Sequence, residues 1–228
     1  MHLPYGKRLS WSFGLIPYII NAIKEIWEIR KEEIECHWWL PLGIICAAVS
    51  RPTIYCHGTD VMMLKRHRWL AWLCRPFAKR VKKWICVSDY LASMLKDTLK
   101  VKRVEVKPMP ISTIFHNKRD SRIKDTAIII TNNLEPNKRI DKALEWARAN
   151  NVWLFVTGDW GHYGKATLLG QLSRTELAEW YNQMEYCIST SDYEGYGLSI
   201  REAKKCGCKT VGFVGDGRTG DIIDIKLN

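Results

Sequence analysis

Strand-like and helix-like segments alternate along the second half of the chain, and that alternation restricts the fold more than any other feature of the sequence. Four short apolar or β-branched runs occur at residues 127–131 (AIIIT), 152–157 (VWLFVT, closed by Gly158), 186–190 and 210–214. Between them lie segments at 139–149, 173–183 and 198–206 whose apolar residues recur at helical spacing. The first two runs carry almost no polar alternate, so both faces of those strands must be covered. Helices placed between such strands are the crossovers of a parallel, doubly wound α/β sheet.

The first half repeats this pattern more loosely. Residues 16–34 combine apolar positions at helical spacing with a charged face of Lys24, Glu25, Glu28, Arg30 and Lys31, which predicts an amphipathic helix. Runs at 52–56 and 84–87 read as buried strands, and Ser88 is placed to cap a helix with Leu91, Met94 and Leu95 on one face. The polar stretch 117–125 (NKRDSRIKD) separates the halves. A chain of 228 residues divided there gives two small α/β domains, 1–120 and 121–228.

Charge is divided at the same place. Residues 1–120 carry 21 Lys or Arg against 10 Asp or Glu, a balance of +11, while residues 121–228 carry 14 of each. The densest stretch, 65–83, holds Lys65, Arg66, Arg68, Arg75, Lys79, Arg80, Lys82 and Lys83 with no acid, interleaved with Trp69, Leu70, Trp72, Leu73 and Phe77. Three surfaces have this composition: a solvated helix with extended lysines, a docking face for an anionic membrane or an acceptor carried there, and a nucleic-acid contact. No nucleic-acid motif accompanies it, which places the third behind the other two.

Eight cysteines form no CxxC pair and have no histidine at zinc-ligand spacing, so free buried thiols of a reducing compartment are expected. The first twelve residues lack the order of a secretory signal, and the longest apolar run, 40–49, is too short to span a bilayer. The expectation is a cytoplasmic protein, soluble or peripheral at the inner membrane face.

The run Ser191–Val211 (SDYEGYGLSIREAKKCGCKTV) concentrates the chemistry. Glu194 stands in a Gly-rich strand-to-helix turn, and Glu202 lies eight residues later inside the helix that follows. Such a turn falls at the carboxyl edge of a parallel sheet, where open α/β folds bind ligands, and Gly195 and Gly197 let backbone N–H groups come close. The helix start suits a diphosphate or sugar oxygens.

This run resembles the E-x7-E signature of the family-4 glycosyltransferases and their relatives, with Glu194, Gly195, Tyr196, Gly197, Leu198, Glu202, Ala203 and Gly207 matching. The resemblance implies the GT-B architecture, two Rossmann-like domains facing across a cleft, here with a reduced N-terminal domain. It implies that Glu194 lies near the donor sugar and that Glu202 holds the ribose. Upstream, residues 128–147 resemble the strand and loop whose Arg and Lys neutralise the donor diphosphate. Lys138 fits the Lys, Asn132 occupies the Arg position, and Arg139 is a substitute source of that charge. Gly158 matches the glycine turn after the second strand, and residues 169–173 (LGQLS) resemble the segment that reads the nucleobase. In the first half, residues 53–60 (TIYCHGTD) resemble the strand whose His faces the donor sugar, here His57, and residues 85–91 and 107–115 resemble the segments that follow.

The resemblance thus implies a transferase moving a sugar from a nucleotide-diphosphate sugar to an acceptor, glycan, lipid-linked or protein, with retained anomeric configuration. No D-x-D pair is present, because neither Asp89 nor Asp192 has a second Asp at that spacing. No metal and no other cofactor is therefore expected, with fixed cations taking up the charge of the departing diphosphate. The alternative is a catalytically degenerate binding module of the same fold. Completion of a shortened first domain by a second copy stays open.

Overall fold

The computed structural model describes residues 25, 27, 28, 33–118, 122–131, 136–158, 166–214 and 222–227. They fall into two compact units, residues 1–107 and 108–228.

The first unit is built on a parallel four-stranded sheet in the order β1-β2-β3-β4, formed by Glu35–His37, Thr53–Cys56, Lys83–Cys86 and Glu105–Val106. A kinked turn, Trp39–Gly43, with Leu40 in extended backbone, runs into α1 (Ile44–Val49). Helices α2 (Thr59–Arg66) and α3 (Arg68–Ala78) follow β2, and α4 (Asp89–Leu99) follows β3. The expected cap of α4 is present, Ser88 Oγ accepting from the Leu91 N–H at 3.3 Å. Trp39 is fully buried edge-on against Trp84, with ring centroids 4.9 Å apart, and Ile54, Leu64, Leu91 and Leu95 of the same unit are fully buried too. All eight cysteines are free and buried. Of the helix expected over 16–34, Glu25, Trp27 and Glu28 are helical, and most of the rest lies outside the described residues. Strand β1 gave no sequence signal because only Cys36 of its three residues is buried, with Glu35 and His37 exposed.

The second unit holds six parallel strands: β5 (Ile123–Ile129), β6 (Trp153–Thr157), β7 (Ala166–Gly170), β8 (Met184–Ser189), β9 (Lys209–Phe213) and β10 (Ile225–Leu227). Helices α5 (Ile140–Ala149), α6 (Arg174–Gln183) and α7 (Leu198–Lys205) connect them. Along β5 the burial partners alternate. Ile128 packs with Tyr181, Met184, Cys187 and Ile200 on one face, and Ala127 and Ile129 pack with Ala143, Ala147, Leu154 and Val156 on the other. An apolar run without polar alternates is therefore what a central strand covered on both sides requires.

Spatially the strands run β7-β6-β5-β8-β9-β10. Counted from β5, this is the dinucleotide-fold order 3-2-1-4-5-6, and the strand order reverses between β5 and β8. The loops leaving the carboxyl ends of β5 and β8 diverge there, which opens a crevice for a ligand.

The division at 120/121 expected from the polar stretch moves to 107/108. Segment 108–118 belongs to the second unit because Phe115 is fully buried in its core, 6.0 Å from the Tyr181 ring. The Lys118 N–H also donates to Asn182 Oδ1 at 2.7 Å, and Asn182 Nδ2 donates to the His116 carbonyl at 3.1 Å.

Candidate functional site

The crevice between β5 and β8 gathers the charged residues singled out in the second half. After β5 the chain makes a 3-10 turn, Pro136–Lys138, and after β8 it makes the Gly-rich turn before α7. Asn137 joins the two loops. Its carbonyl accepts from the Asp192 N–H at 2.9 Å, its Oδ1 accepts from the Tyr193 N–H at 3.1 Å, and its Nδ2 donates to the Tyr193 carbonyl at 3.2 Å. Thr190 Oγ1 adds a bond to the Lys138 carbonyl at 2.8 Å.

This lacing sets Lys138 against Glu194. Lys138 Nζ donates to Glu194 Oε1 at 2.8 Å, and Ser191 Oγ donates to the same oxygen at 2.8 Å. Both side chains of the ion pair are about one-fifth exposed, at 20% and 18%. They are shielded enough to hold each other and open enough to exchange partners with a ligand.

Gly197 is the N-cap of α7 with φ 68 and ψ 50, a left-handed conformation that favours glycine. It is buried, while Gly195, Tyr196 and Leu198 beside it are partly exposed. The Tyr196 carbonyl accepts from Arg201 Nε at 3.0 Å, and the Arg201 guanidinium lies 4.5 Å from the Tyr196 ring centre. Glu202, one turn into α7, has a side chain only 4% exposed and accepts from Arg174 Nη2 at 2.9 Å. Burial raises the Glu202 carboxyl above the ordinary carboxylate range, and Arg174 opposes that rise.

Beside the crevice, a cavity of about 380 Å³ opens at the carboxyl ends of β5, β6 and β7, lined by Ile130, Thr131, Thr157, Gly158, Gln171, Leu172 and Leu177. The buried Thr131 and Thr157 fix its floor, the Thr131 hydroxyl donating to the Thr157 carbonyl at 2.6 Å. Gly158, with φ 95, donates its N–H to the Gly170 carbonyl at 2.8 Å. The segment expected to read a nucleobase therefore borders a cavity large enough for a base and part of a ribose.

Arg139 is engaged elsewhere. It sits in the left-handed region at φ 45, and its guanidinium is bound by Asp141 at 2.9 Å and by Asp192 at 3.3 Å. That arrangement differs from the free diphosphate-binding cation expected there. Asn132 lies outside the described residues.

His57 follows β2 in the first unit. One ring N–H is shared between His57 Nε2 and His37 Nδ1 at 2.9 Å, the two rings lying within 15° of parallel with centroids 5.1 Å apart, and Tyr55 stacks on His37 at 4.7 Å. Gly58, at φ 141, makes the turn possible. The buried Asp60 carboxylate pins that turn by accepting the Gly58 N–H at 3.2 Å and the Trp39 N–H at 2.9 Å. Burial, together with His37, lowers the His57 pKa below the usual histidine value, with Asp60 opposing. Asn137, Arg174 and His37 gave no signal of their own in the sequence, because each acts through a partner distant along the chain, whereas Asp60 and Ser191 stand inside the motifs at 53–60 and 191–211 without a role assigned to them there.

In the basic stretch, α2 and α3 are separated by a break at His67 with φ −116 and ψ 77. Lys65, Arg66, Arg68, Trp69, Trp72, Lys79 and Arg80 are exposed, and Arg75 is half-buried. Among the described residues, no group of three His, Cys, Asp or Glu is placed to hold a metal ion, and no helix is long and apolar enough to cross a membrane.

A family model described as Glycosyltransferase Family 4 matches residues 2–114. The chain is 25% identical over 226 residues to an uncharacterized glycosyltransferase of Methanocaldococcus jannaschii, covering 90% of this chain and 62% of that one. Among solved structures it is similar to sucrose-phosphate synthase from Thermosynechococcus elongatus, with a TM-score of 0.67, 15% identity, and coverage of 91% of this chain and 62% of that one. It is also similar to Anabaena HepE in complex with UDP-glucose, with a TM-score of 0.63, 13% identity, and coverage of 83% and 62%. The chain thus spans less than two thirds of the length of each of these relatives. Two α/β units with parallel sheets, one in the dinucleotide-fold order with charged loops at its switch point, define the GT-B class. Within that class its likeness is to glycosyltransferase family 4, whose model matches just under half of the chain.

Proposed function

We propose that the chain is a glycosyltransferase that takes a sugar from a nucleotide-diphosphate sugar bound at the β5/β8 switch point of its second unit. The observation that carries this reading is the Lys138–Glu194 pair, held between two laced loops at the start of α7. On donor binding, Lys138 exchanges Glu194 for the diphosphate, and the freed Glu194 carboxylate accepts sugar hydroxyls. Glu202 accepts the ribose hydroxyls, and the cavity beside Gly158 and Gln171 takes the base.

Bond breaking leaves a nucleoside diphosphate with new negative charge while the anomeric carbon becomes cation-like. Lys138 and the N–H groups at the start of α7 are fixed in place to stabilise the leaving group. We read this as sufficient without a divalent metal. Retention of configuration is the outcome that the family likeness supports, with the acceptor attacking on the face the diphosphate leaves. Glu194 then serves as an orienting group, the family likeness gives His57 of the first unit a role of the same kind, and no protein nucleophile is required. The UDP-glucose complex of HepE and the ADP complex of starch synthase IV are examples of nucleotides held by proteins of this fold, and they make uridine and adenine nucleotides the first to try. The acceptor stays open.

The test is thermal stabilisation by UDP, GDP, ADP and their sugars in EDTA, with Lys138→Ala and Glu202→Ala as controls. One nucleotide is expected to raise Tm, and the rise is expected to vanish in both variants. Turnover is then followed by proton NMR, which reads the anomeric configuration of the product. His57→Ala is expected to lower the rate while leaving nucleotide binding in place. No stabilisation by any nucleotide would remove the donor-site reading. Stabilisation without turnover favours the degenerate binding module, in keeping with the engagement of Arg139 by Asp141 and Asp192. Strict dependence on Mg²⁺ would overturn metal independence alone.

A further inference from the structure

Helix α3 is apolar on two opposite faces, and only one of them is covered. Ala71, Cys74 and Ala78 are buried against the rest of the first unit. Trp69, Trp72, Leu73 and Pro76, at spacing i, i+3, i+4, i+7, form a second stripe that faces outward. The two indoles are 65% and 66% exposed and Leu73 is 49% exposed, with Met63 of α2 also exposed nearby in sequence. Leaving this much aromatic surface in water is costly, so an exposed stripe of this kind needs an occupant.

The charge around the stripe says which occupant. Lys65, Arg66 and Arg68 precede it and Lys79 and Arg80 follow it, and none of these five forms an ion pair among the described residues. Behind the helix, a cavity of about 410 Å³ lies where α2, α3 and α4 meet. Its lining combines the cations Lys65, Arg68 and Arg75 with the hydroxyls of Tyr90, Ser93 and Thr98. The one acid in its lining, Asp97, is already paired with Lys100 at 2.8 Å. Arg75 Nε is buried there without a hydrogen-bond partner. An apolar stripe flanked at both ends by cations fits a helix lying in the plane of a bilayer, with indoles at the headgroup level and cations at the lipid phosphates.

We propose that α3 docks the protein on an anionic membrane surface, with Trp69, Trp72 and Leu73 inserted at the interface and the Lys65/Arg68/Arg75 cavity receiving a lipid phosphate. Leu73, Met63 and Pro76 have no part in stacking on bases, which favours a bilayer over a nucleic acid. This docking is independent of sugar transfer.

The test is co-sedimentation of the full chain with vesicles of phosphatidylcholine alone and of phosphatidylcholine mixed with phosphatidylglycerol. Binding is expected to the mixed vesicles only, and to weaken with salt. Lys65→Ala/Arg68→Ala is expected to lower partitioning about 25-fold, roughly fivefold for each cation removed at the surface. Trp69→Ser/Trp72→Ser is expected to lower it roughly tenfold or more. All four positions are solvent-facing, and circular dichroism melts should show both variants folded. Equal binding to neutral vesicles, no binding to either, or binding unchanged in the tryptophan variant would overturn the proposal. So would capture by a duplex or single-stranded oligonucleotide in preference to the anionic vesicles.

Discussion

Lys138 and Glu194 neutralise each other in the chain without donor, and that fixes what each mutation must do. Lys138→Ala leaves a partly shielded carboxylate still held by Ser191, so the loss of stability should be on the order of 1 kcal/mol. The loss of a charged hydrogen bond to the diphosphate should weaken nucleoside diphosphate binding roughly tenfold to a hundredfold. Calorimetric titration with a nucleoside and its diphosphate separates the two, because the nucleoside should bind the variant as it binds the wild type. Glu202 behaves in the opposite way. Its folded pKa is raised, so the folded state holds its proton more tightly than the unfolded chain does. Its contribution to stability therefore falls as pH rises from the ordinary 4.5 through the raised value, and stays lower above it. At neutral pH Glu202→Gln removes a desolvated charge, and Arg174, more than half exposed, loses little. The variant should melt at or above the wild-type Tm yet lose its stabilisation by nucleotide. His57 titrates with a lowered pKa, so between that value and 6.5 the unfolded chain binds more protons and stability should rise with pH. Melts from about pH 5 to about pH 7 should show this slope, reduced in His37→Asn, because one proton can no longer be shared between the two rings.

At the scale of elements, two glycines with similar backbones should respond unequally. Gly170 has φ +67 and open space where a Cβ would lie, so Gly170→Ala should cost only the backbone term, about 1 kcal/mol. Gly207, at φ +93, would bring its Cβ to 2.4 Å from Arg122 Nη2. Arg122 cannot easily yield, since Nη1 donates to the Tyr181 carbonyl at 2.6 Å and the Met184 carbonyl at 3.0 Å, while Nη2 donates to the Cys206 carbonyl. Gly207→Ala should therefore cost about 2–4 kcal/mol in urea denaturation. Equal losses in the two variants would show that Arg122 does not clamp the end of α7. The same elements show what the sequence made legible. Strands β2, β3, β5, β6, β8 and β9, and helices α4 to α7, fall within a few residues of their expected positions, because each carries an apolar run or a helical stripe that packing then buries. The cap expected at Ser88 is present, and the structure adds an unexpected one at Ser173, its hydroxyl and Glu176 forming a reciprocal cap at 3.3 and 2.7 Å. Strands β1, β4, β7 and β10 were not legible, being short or half-exposed edges that exist through pairing with neighbours. The site divides in the same way. Glu194 and Glu202 stand in a motif readable along the chain, whereas Asn137 and Arg174 take their roles from loops and helices brought together at the switch point.

For the whole molecule, the two units carry different charge and different family signals. Divided at 107/108, the first unit holds 19 Lys or Arg against 9 Asp or Glu and the second holds 16 against 15, so all but one of the +11 charges stay in the first. The family model matches residues 2–114, whereas the two-glutamate motif lies at 194–202, so separate parts of the chain carry the same likeness. Donor binding and surface docking then belong to different units and should be separable in one experiment. A nucleotide at 100 times its Kd stabilises what it binds by about 2.7 kcal/mol. Hydrogen exchange under that load should slow in the 136–138 turn, at the start of α7 and around Gln171 of the second unit. Anionic vesicles should instead slow exchange in α3 of the first. Each ligand should leave the other's peptides unchanged to the extent that the sites are energetically independent, and reciprocal protection would measure the coupling between them. Nucleotide protection confined to the first unit would contradict the placement of the donor at the β5/β8 crevice, whatever the vesicles did.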